Sequence, residues 1–295
     1  MEMIILKNFL FEKYHGLGND YILVDDNKLQ IPEEKKKDLA KKLCETHFSV
    51  GADGLIFVCD SENADIKMRI FNNDGTEAEM CGNGIRCFSK YVYEHKIIKK
   101  MEIQVETLKE NVSAKLKLTE DGTVKDVEID MGGPILECEK IPVIPDKNDS
   151  FECLNEPLPV LDKIFNISAI SMGNPHAVIF IKDQLDDNDL NKYGAAIETH
   201  ERFPNKTNVE FVKIISNREC VVRVFERSVG ITKSCGTGSC ASVVAGIILG
   251  KLVKDQPILV HNDGGDLIIT YNGDTVLMEG PVEKIFSGKI EKIEF

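Results

Sequence analysis

Residues 81–87 are Cys81-Gly82-Asn83-Gly84-Ile85-Arg86-Cys87, and residues 235–240 repeat the same plan as Cys235-Gly236-Thr237-Gly238-Ser239-Cys240. Each segment opens with Cys-Gly-x-Gly and runs into a helical pattern, which predicts helices over residues 82–95 and 236–249. One such motif is weak evidence for a site, because a cysteine beside a glycine-rich helix start is usually inert packing. Two copies instead indicate a chain built from two related halves.

The repeat extends upstream of both segments with matching spacing. Arg69-Ile70-Phe71 and Arg223-Val224-Phe225 begin at the same distance before the first cysteine of their own segment. Asn19 and Asn174 precede the same two cysteines by distances that differ by a single position. This collinear spacing places one thiol in each half and predicts two cysteines that face each other across a pseudo-two-fold axis.

Length, charge and cysteine usage are typical of a cytoplasmic enzyme. The chain has 295 residues, enough for roughly two domains of about 150 residues. No apolar run reaches the ~18 residues of a membrane span, and residues 1–5 lack the basic flank of a signal peptide. Nine cysteines without a CxxC pair favour free thiols over disulfides. A net charge of −13 argues against nucleic acid or an anionic membrane as partner.

Strand-like runs outnumber helical stretches in both halves. Charged helical faces are predicted at residues 32–46 and 190–199, in addition to the helices after the motif cysteines. Met131-Gly132-Gly133-Pro134 interrupts the strand pattern near mid-chain and marks a domain boundary. The predicted fold class is therefore α/β of the α+β type, with two pseudo-symmetric domains and a mostly antiparallel sheet in each.

The helix after Cys235 is apolar or small on almost every face, as expected of a helix that is surrounded by a sheet. Its N-terminus then opens inside the protein, where the first backbone N–H groups need an anionic partner. Because the motif glycines lack a Cβ, a ligand carboxylate can approach the backbone closely. We expect the helix starts to favour a substrate carboxylate and the thiolate of the flanking cysteine, whose ordinary pKa is near 8.5.

Two thiols around one carboxylate-bearing carbon suit the inversion of an α-amino acid centre. The proton must leave one face of the carbon and return on the other, so one cysteine accepts it as thiolate while the other donates as thiol. Backbone N–H groups at the helix starts would stabilise the charge that builds up on the carboxylate. The arrangement requires two domains that close on the substrate, and neither a cofactor nor a metal.

At this level of detail the chain resembles the diaminopimelate epimerase family, nearly end to end. The segments that carry the resemblance are Lys13-Tyr14-His15-Gly16-Leu17-Gly18-Asn19-Asp20, Arg69-Ile70-Phe71-Asn72-Asn73-Asp74-Gly75, residues 81–87, Ser171-Met172-Gly173-Asn174-Pro175-His176, His200-Glu201-Arg202-Phe203-Pro204, Thr207-Asn208-Val209, Val224-Phe225-Glu226-Arg227 and Cys235-Gly236-Thr237-Gly238. Together they are far more specific than any one motif.

The resemblance implies a fold of two domains, each a barrel-like sheet around a central helix, with the last strand returning to the first domain. The expected domains are residues 1–130 with 284–295, and residues 131–283. It implies a diamino diacid as the small-molecule substrate, a homodimer as one candidate assembly, and the inversion of LL- to meso-2,6-diaminopimelate. The implied catalytic residues are Cys81, Cys235, His176 and Glu226, the last two placed beside the thiols. The implied substrate-binding residues are Asn19, Asn72, Gly82, Asn83, Asn174, Asn208, Glu226, Arg227, Gly236 and Thr237.

Two positions depart from the family pattern. Gly54 stands where many members have glutamine, and Ser228 replaces the glycine that often follows Glu-Arg. Three alternatives stay open. A related cofactor-independent racemase acting on lanthionine, histidine or another amino acid would keep both cysteines. A cysteine hydrolase would need only one of them, with His176, and a non-catalytic thiol or metal module lacks the usual zinc spacing here. The other seven cysteines are interpreted as packing.

Overall fold

The computed structural model describes residues 4–146 and 150–295. Residues 1–3, which belong to the segment used for the signal-peptide prediction, lie outside them. The chain divides into two compact units, an N-terminal unit of Met1–Ile129 with Gly280–Phe295 and a C-terminal unit of Asp130–Glu279. The chain returns to the N-terminal unit at Gly280, before the predicted residue 284. The N–H of Val282 already donates to the carbonyl of Lys125 in the N-terminal unit, at 3.4 Å.

The N-terminal unit consists of strands with a few helices between them. In chain order its elements are β1 (Ile5–Gly16), β2 (Asn19–Asp25), α1 (Asp26–Leu29), a 3₁₀ turn (Glu33–Lys35), α2 (Lys36–Cys44), β3 (Gly54–Cys59), β4 (Ile66–Asn72), β5 (Glu77–Ala78), α3 (Gly82–Glu94), β6 (Glu102–Glu106), β7 (Asn111–Leu118) and β8 (Val124–Asp130).

The C-terminal unit follows with the same kinds of element, and the last strand of the chain belongs to the N-terminal unit again. The elements are β9 (Glu156–Val160), β10 (Lys163–Ser171), β11 (Pro175–Ile181), α4 (Asp187–Glu198), β12 (Asn208–Ser216), β13 (Glu219–Glu226), β14 (Gly230–Thr232), α5 (Gly236–Ile248), β15 (Ile258–Asn262), β16 (Gly265–Tyr271), β17 (Val276–Pro281) and finally β18 (Glu283–Glu294).

The two units pair their strands by one plan. In the N-terminal unit β1–β2 is antiparallel, β2–β3 parallel, β3–β4 and β4–β5 antiparallel, β4–β6 parallel, and β6–β7 and β7–β8 antiparallel. In the C-terminal unit the series from β10 through β17 follows the same sequence of pairings. The predicted duplication and the α+β class are therefore present in the strand topology.

The helices that follow the motif cysteines are the buried ones, as the sequence predicted. In α3 every residue from Gly82 to Val92 is buried, and in α5 every residue from Gly238 to Gly246 is buried. In the described part of the chain, every helix falls short of the length and apolar character that a membrane span needs. Many residues of β1 and β18 are exposed and charged, so these two strands lack the apolar alternation that indicates a strand in the sequence.

One part of the cysteine interpretation is wrong. Cys138 and Cys153 form a disulfide across 15 residues instead of packing as separate thiols. Their segments are also joined through the backbone, since the N–H of Cys138 donates to the carbonyl of Phe151 at 2.9 Å. Which cysteines meet depends on this contact between the segments around Cys138 and Cys153, which spacing along the sequence does not reveal.

Candidate active site

Cys81 and Cys235 occupy the same structural position in their units. Each is the N-cap of the buried helix, and each sulfur accepts a hydrogen bond from the backbone N–H three residues on. The distances are 3.5 Å from Gly84 N to Cys81 Sγ and 3.4 Å from Gly238 N to Cys235 Sγ. A helix leaves its first N–H groups without intrahelical partners. Each cap therefore places a sulfur beside backbone donors that can bind a carboxylate.

In the N-terminal unit, neutral polar groups surround the sulfur; we call Asn19, Tyr21, Cys81 and Asn83 the Cys81 cluster. The Tyr21 hydroxyl lies 2.9 Å from Cys81 Sγ and donates to Asn19 Oδ1 at 2.5 Å. Asn83 Nδ2 donates to the same Asn19 oxygen at 3.1 Å. Burial and the nearby Cys81 raise the pKa of Tyr21 well above its usual value, so the hydroxyl keeps its proton.

Charged side chains outside the cluster hold its two amides in place. Arg86 is fully buried on α3 and donates through Nη2 to Asn83 Oδ1 at 2.6 Å. Asn19 Nδ2 donates to Asp53 Oδ2 at 2.6 Å. Because each amide is bonded at both ends, the orientation of the side chains around Cys81 is fixed before a ligand arrives.

In the C-terminal unit, ionisable groups surround the sulfur; Asn174, His176, Glu210 and Cys235 are the Cys235 cluster. His176 Nδ1 lies 2.7 Å from Glu210 Oε1, and His176 Nε2 lies 2.9 Å from Asn174 Oδ1. Both His176 and Glu210 are completely buried. Ligand-type atoms of His176, Glu210 and Cys235 all lie within 4.8 Å of one another. Because His176 is hydrogen-bonded at both ring nitrogens, we describe the Cys235 cluster as a hydrogen-bonded network.

The remaining residues expected from the resemblance lie at strand ends next to these clusters. Asn208 begins β12, where its Nδ2 donates to the carbonyl of Pro175 at 3.0 Å and its Oδ1 accepts from the N–H of Arg227 at 2.8 Å. Glu226 ends β13 and accepts from the Thr232 hydroxyl at 2.5 Å.

Two expected binding residues are exposed. The side chain of Arg227 contacts the carbonyl of Asn205 through Nη1 at 3.3 Å. Asn72 ends β4 and bonds to the Thr76 hydroxyl at 2.9 Å. The exposed guanidinium and amide are therefore accessible to a polar ligand.

Matching positions in the two units carry different chemistry. Tyr21 and His176 precede their cysteines by nearly equal distances, and each pairs in a parallel ladder with the first residue of the next strand, Gly54 or Asn208. Two further pairs of positions stand at identical spacing from the cysteines: Ile56 with Glu210, and Asn72 with Glu226. In the N-terminal unit these positions hold Tyr21, Ile56 and Asn72, which carry no charge at neutral pH. In the C-terminal unit they hold His176, Glu210 and Glu226, whose side chains can be charged.

Sequence reasoning missed Tyr21 and Glu210. Tyr21 stands in the apolar run Tyr21-Ile22-Leu23-Val24, where it was interpreted as an ordinary strand residue. Glu210 interrupts a strand that is otherwise buried and apolar between Val209 and Val212. A lone carboxylate within such a run, at the spacing that the repeat sets, is the signal that could have identified it.

The surroundings of Cys235 favour the thiol over the thiolate. Burial raises the pKa of Cys235 well above its usual value, and the carboxylates of Glu226 and Glu210 raise it further. Hydrogen bonds from Thr237 and the N–H of Gly238 lower it, but they are the smaller effects. A helix start stabilises a thiolate only where solvent and neighbouring charges permit, so the Cys235 cluster keeps its sulfur protonated.

The structure gives a steric reason for Gly54 but none for Ser228. A Cβ added at Gly54 would lie 2.8 Å from the carbonyl oxygen of Phe71 and 3.3 Å from the Tyr21 ring, so the Tyr21 side chain occupies the space that a larger residue needs. Ser228 adopts φ +63°, the left-handed region that favours glycine. Its N–H donates to Glu198 Oε1 at 2.8 Å, which holds the turn after Arg227.

The sequence has close relatives over nearly its whole length. The profile of the family described as diaminopimelate epimerase matches residues 11–137 and 168–285. A diaminopimelate epimerase of Pelotomaculum thermopropionicum is 48% identical over 280 residues, covering 95% of this chain and 98% of the relative. One from Bacillus cereus is 45% identical over 291 residues, covering 98% and 100%.

Solved structures of lower identity share the fold. A PhzF-family phenazine biosynthesis protein from Bacillus anthracis superposes with a TM-score of 0.66 at 16% identity, over 98% of this chain and 99% of the other. A hydroxyproline epimerase from Agrobacterium vitis, solved with trans-4-hydroxy-L-proline, has a TM-score of 0.68 at 12% identity, over 96% and 92%. At these identities the likeness concerns the architecture alone.

Proposed function

Because the chain belongs to the diaminopimelate epimerase family, we propose that it is an isomerase that converts LL-2,6-diaminopimelate to meso-2,6-diaminopimelate, a step of lysine and peptidoglycan biosynthesis. The observation that carries the mechanism is the repeated cap: one cysteine at the N-terminus of one buried helix in each unit. A hydrolase needs a single nucleophile. Inversion of a carbon centre needs a proton acceptor and a proton donor, and the duplicated cap supplies both.

The proposed reaction transfers one proton in and one proton out at the same carbon. A thiolate at one cap removes the α-proton, the electron pair left on the carbon delocalises into the carboxylate, and the thiol at the other cap returns a proton to the opposite face. Backbone N–H groups at Gly82-Asn83 and Gly236-Thr237 stabilise the enediolate-like carboxylate. In the LL-to-meso direction we assign the thiol to Cys235, since its surroundings favour the protonated form.

Recognition of diaminopimelate requires a grip on the second amino-acid end, which does not react. Arg227 is the residue proposed for the distal carboxylate, because a guanidinium binds a carboxylate through two parallel hydrogen bonds. The amides of Asn19, Asn72, Asn174 and Asn208 offer neutral donors and acceptors to a zwitterion, and Glu226 offers a carboxylate to an ammonium group. His176 is proposed to act beside Cys235. The substrate is thus a small diamino diacid.

We further propose that the enzyme works as a homodimer in the cytoplasm, where free thiols persist. The Cys138–Cys153 pair is compatible with this location. The backbone hydrogen bonds from Cys138 to Phe151 and from Ala169 to Cys153, at 2.9 and 2.8 Å, hold the same segments when the cysteines are reduced.

The decisive experiment is turnover in D₂O with separation of stereoisomers. The purified protein, with no pyridoxal phosphate added, is incubated with LL-diaminopimelate, and mass spectrometry follows the label. We expect meso product with deuterium only at the inverted carbon. Cys81→Ala and Cys235→Ala should each reduce inversion by about a hundred- to ten-thousandfold, because loss of an acid or base group typically costs two to four decades.

Two results would overturn the proposal. Near-wild-type turnover in either cysteine variant would exclude the two-thiol mechanism and favour a single-cysteine enzyme. Faster inversion of lanthionine, histidine or another amino acid than of diaminopimelate, measured as kcat/KM in the same assay, would assign the chain to a related racemase activity instead.

A further inference from the structure

Glu210 occupies a position where a carboxylate is costly and where the related unit has none. The residue is completely buried on β12, and its Oε2 has no hydrogen-bond partner among the described residues. Ile56 fills the matching position on β3. Burial of a charge without full compensation destabilises a fold by several kcal/mol. Glu210 therefore lowers the stability of the C-terminal unit, which indicates that it has a role other than stabilising the fold.

The surrounding structure is shaped to hold this carboxylate. A Cβ added at Gly238, in the first turn of α5, would overlap Glu210 Oε1 and lie 3.1 Å from its Cδ. The matching Gly84 instead faces the side chains of Ile70 and Ile56. The carboxylate thus lies directly against the helix turn that Cys235 caps, while its Oε1 faces His176 Nδ1 at 2.7 Å.

We propose that Glu210 is a positioning residue for the Cys235 half of the reaction: it fixes the ring of His176 through Nδ1 and holds a negative charge beside the sulfur. The hydrogen bond at Nδ1 fixes the ring orientation and leaves Nε2, which faces Asn174, as the nitrogen that can exchange a proton. The charge keeps Cys235 in the thiol form that donates a proton. Glu210 itself touches no substrate in this scheme, which rests on the epimerase function proposed above.

Among the charged groups around α5, Glu226 shares the effect of Glu210 on the thiol, and Glu210 differs from it by its bond to His176. The helix packs against β10, β11, β12, β13 and β16. Facing Cys235 from these strands are His176, Glu210 and Glu226, and the latter two raise the pKa of the thiol. Lys163 on β10 lies 3.8 Å from Asp189, and Asp266 on β16 bonds to His261 at 2.7 Å. Among the described residues, the only carboxylate bonded to His176 is Glu210.

The test measures thiol reactivity one peptide at a time in the intact protein. Wild type and Glu210→Gln are treated with iodoacetamide between pH 6 and pH 10, and mass spectrometry reports alkylation of Cys81 and Cys235 separately. Glutamine keeps the size and the Oε1 acceptor but removes the charge. We expect the Cys235 curve to move to lower pH, with roughly tenfold faster alkylation near pH 8 for a curve moved by about one pH unit. The Cys81 curve should stay where it is.

Activity supplies a second readout. In Glu210→Gln, kcat/KM should fall by about tenfold or more, equally in both directions because the equilibrium between the isomers is unchanged. Its pH profile should move in the same sense as the Cys235 alkylation curve. Glu210→Asp keeps the charge but retracts it from His176, so its alkylation curve should follow wild type while kcat/KM still falls.

A matched control exists in the same unit. Glu219 pairs with His261 at 2.9 Å, and both side chains are partly exposed, so Glu219→Gln makes the same chemical change in another glutamate–histidine pair. It should leave both alkylation curves and kcat/KM unchanged. The proposal is overturned if Cys235 of Glu210→Gln titrates as in wild type, if both cysteines move together, or if the control behaves like Glu210→Gln. If Glu210→Gln does not fold, the alkylation curves of wild type and Glu210→Asp are used instead. Rapid alkylation of wild-type Cys235 below pH 8 then overturns the proposal.

Alkylation requires no substrate, so this result is separable from the proposed function. A protein that fails to invert diaminopimelate but shows the expected Cys235 curves would retain the positioning role and lose the substrate assignment. Normal inversion of diaminopimelate with an unchanged Cys235 curve in Glu210→Gln would support the substrate assignment and exclude the positioning role.

Discussion

Tyr21 gives Cys81 a partner that can serve either protonation state of the sulfur. With its proton on Asn19, the hydroxyl oxygen accepts from the thiol; rotated toward the sulfur at 2.9 Å, it donates to the thiolate. A group that alternates between these roles suits a residue that must lose and regain a proton in each cycle. The Cys235 cluster has a histidine at the matching position, so the two halves reach this chemistry by different side chains.

We expect Tyr21→Phe to lower kcat/KM for diaminopimelate by roughly 10- to 100-fold, since a hydrogen bond to a charged group contributes about 1.5–3 kcal/mol. Stability should change little, because Asn19 Oδ1 retains its bond from Asn83. Steady-state kinetics and thermal melts measure both quantities. Tyr14→Phe is the matched control, since it removes another buried hydroxyl, bonded to Glu12 at 2.7 Å, and should leave kcat/KM near wild type. Equal kinetic losses in the two variants would refute a specific role for Tyr21.

At this scale, sequence reasoning succeeded where chemistry was local and failed where it depended on strand neighbours. Cys81 and Cys235 were identified from contiguous motifs, because a cap and its helix are consecutive in sequence. Glu210 contacts His176 on an earlier strand and lies against Gly238 on a later helix, so its neighbours appear only after β11, β12 and α5 come together.

A charge network around the half-buried Glu12 links β1 to β18. Glu12 on β1 accepts from Lys284 at 2.5 Å and Ser287 at 2.9 Å on β18, and it also bonds to His95 and Tyr14. Burial alone would raise the pKa of Glu12, but these hydrogen bonds outweigh it and lower the pKa to about 2. The carboxylate therefore joins the last strand to the first.

This network makes the stability of the N-terminal unit dependent on pH. A lowered pKa in the folded state means that Glu12 stabilises the fold above its ordinary pKa of 4.5 and that this contribution is lost as the pH falls toward 2. Glu12→Gln should therefore be less stable than wild type at pH 7, with the difference shrinking below about pH 4. Urea unfolding at a series of pH values measures it. A difference that stays constant with pH would show that the charge is not responsible.

Helices with a clear sequence signal were predicted well. Strands that exist only because they pair with a distant strand were not evident from their own residues. The helices after the cysteines begin where the motifs place them, and they end within one residue of the prediction, at Glu94 and Ile248. The family resemblance implied β18, but its own residue pattern does not, because most of its residues are exposed, including Ile285 and Phe286, and it lacks the apolar alternation of a half-buried strand. Pairing with β1 across the length of the chain makes it a strand.

At the scale of the whole molecule, the two units differ in whether their cores are contiguous in sequence. The core cluster that includes Leu158, Phe165 and Phe211 lies entirely within the C-terminal unit. The core cluster of the N-terminal unit includes Ile293 from β18 together with Phe9 and Phe11 from β1. This cluster of the C-terminal unit is thus formed by one stretch of the chain, whereas that of the N-terminal unit includes a distant segment.

A fragment of residues 130–279 should accordingly fold alone, whereas residues 4–129 should not. Adding residues 280–295 through a flexible linker should restore the N-terminal unit. Circular dichroism and thermal melts check this, with a cooperative transition as the mark of folding. A cooperative transition in the 4–129 fragment by itself would contradict the prediction.

The return of β18 also has a consequence for the order of events at the ribosome. β1 ends at Gly16 and β18 begins at Glu283, so nearly the whole chain must be synthesised between the two strands. At synthesis rates of about 5–20 residues per second, β1 waits roughly 15–50 s for its partner. The N-terminal unit is begun first and completed last, and for that interval one side of β1 is open to incorrect pairing with other nascent chains.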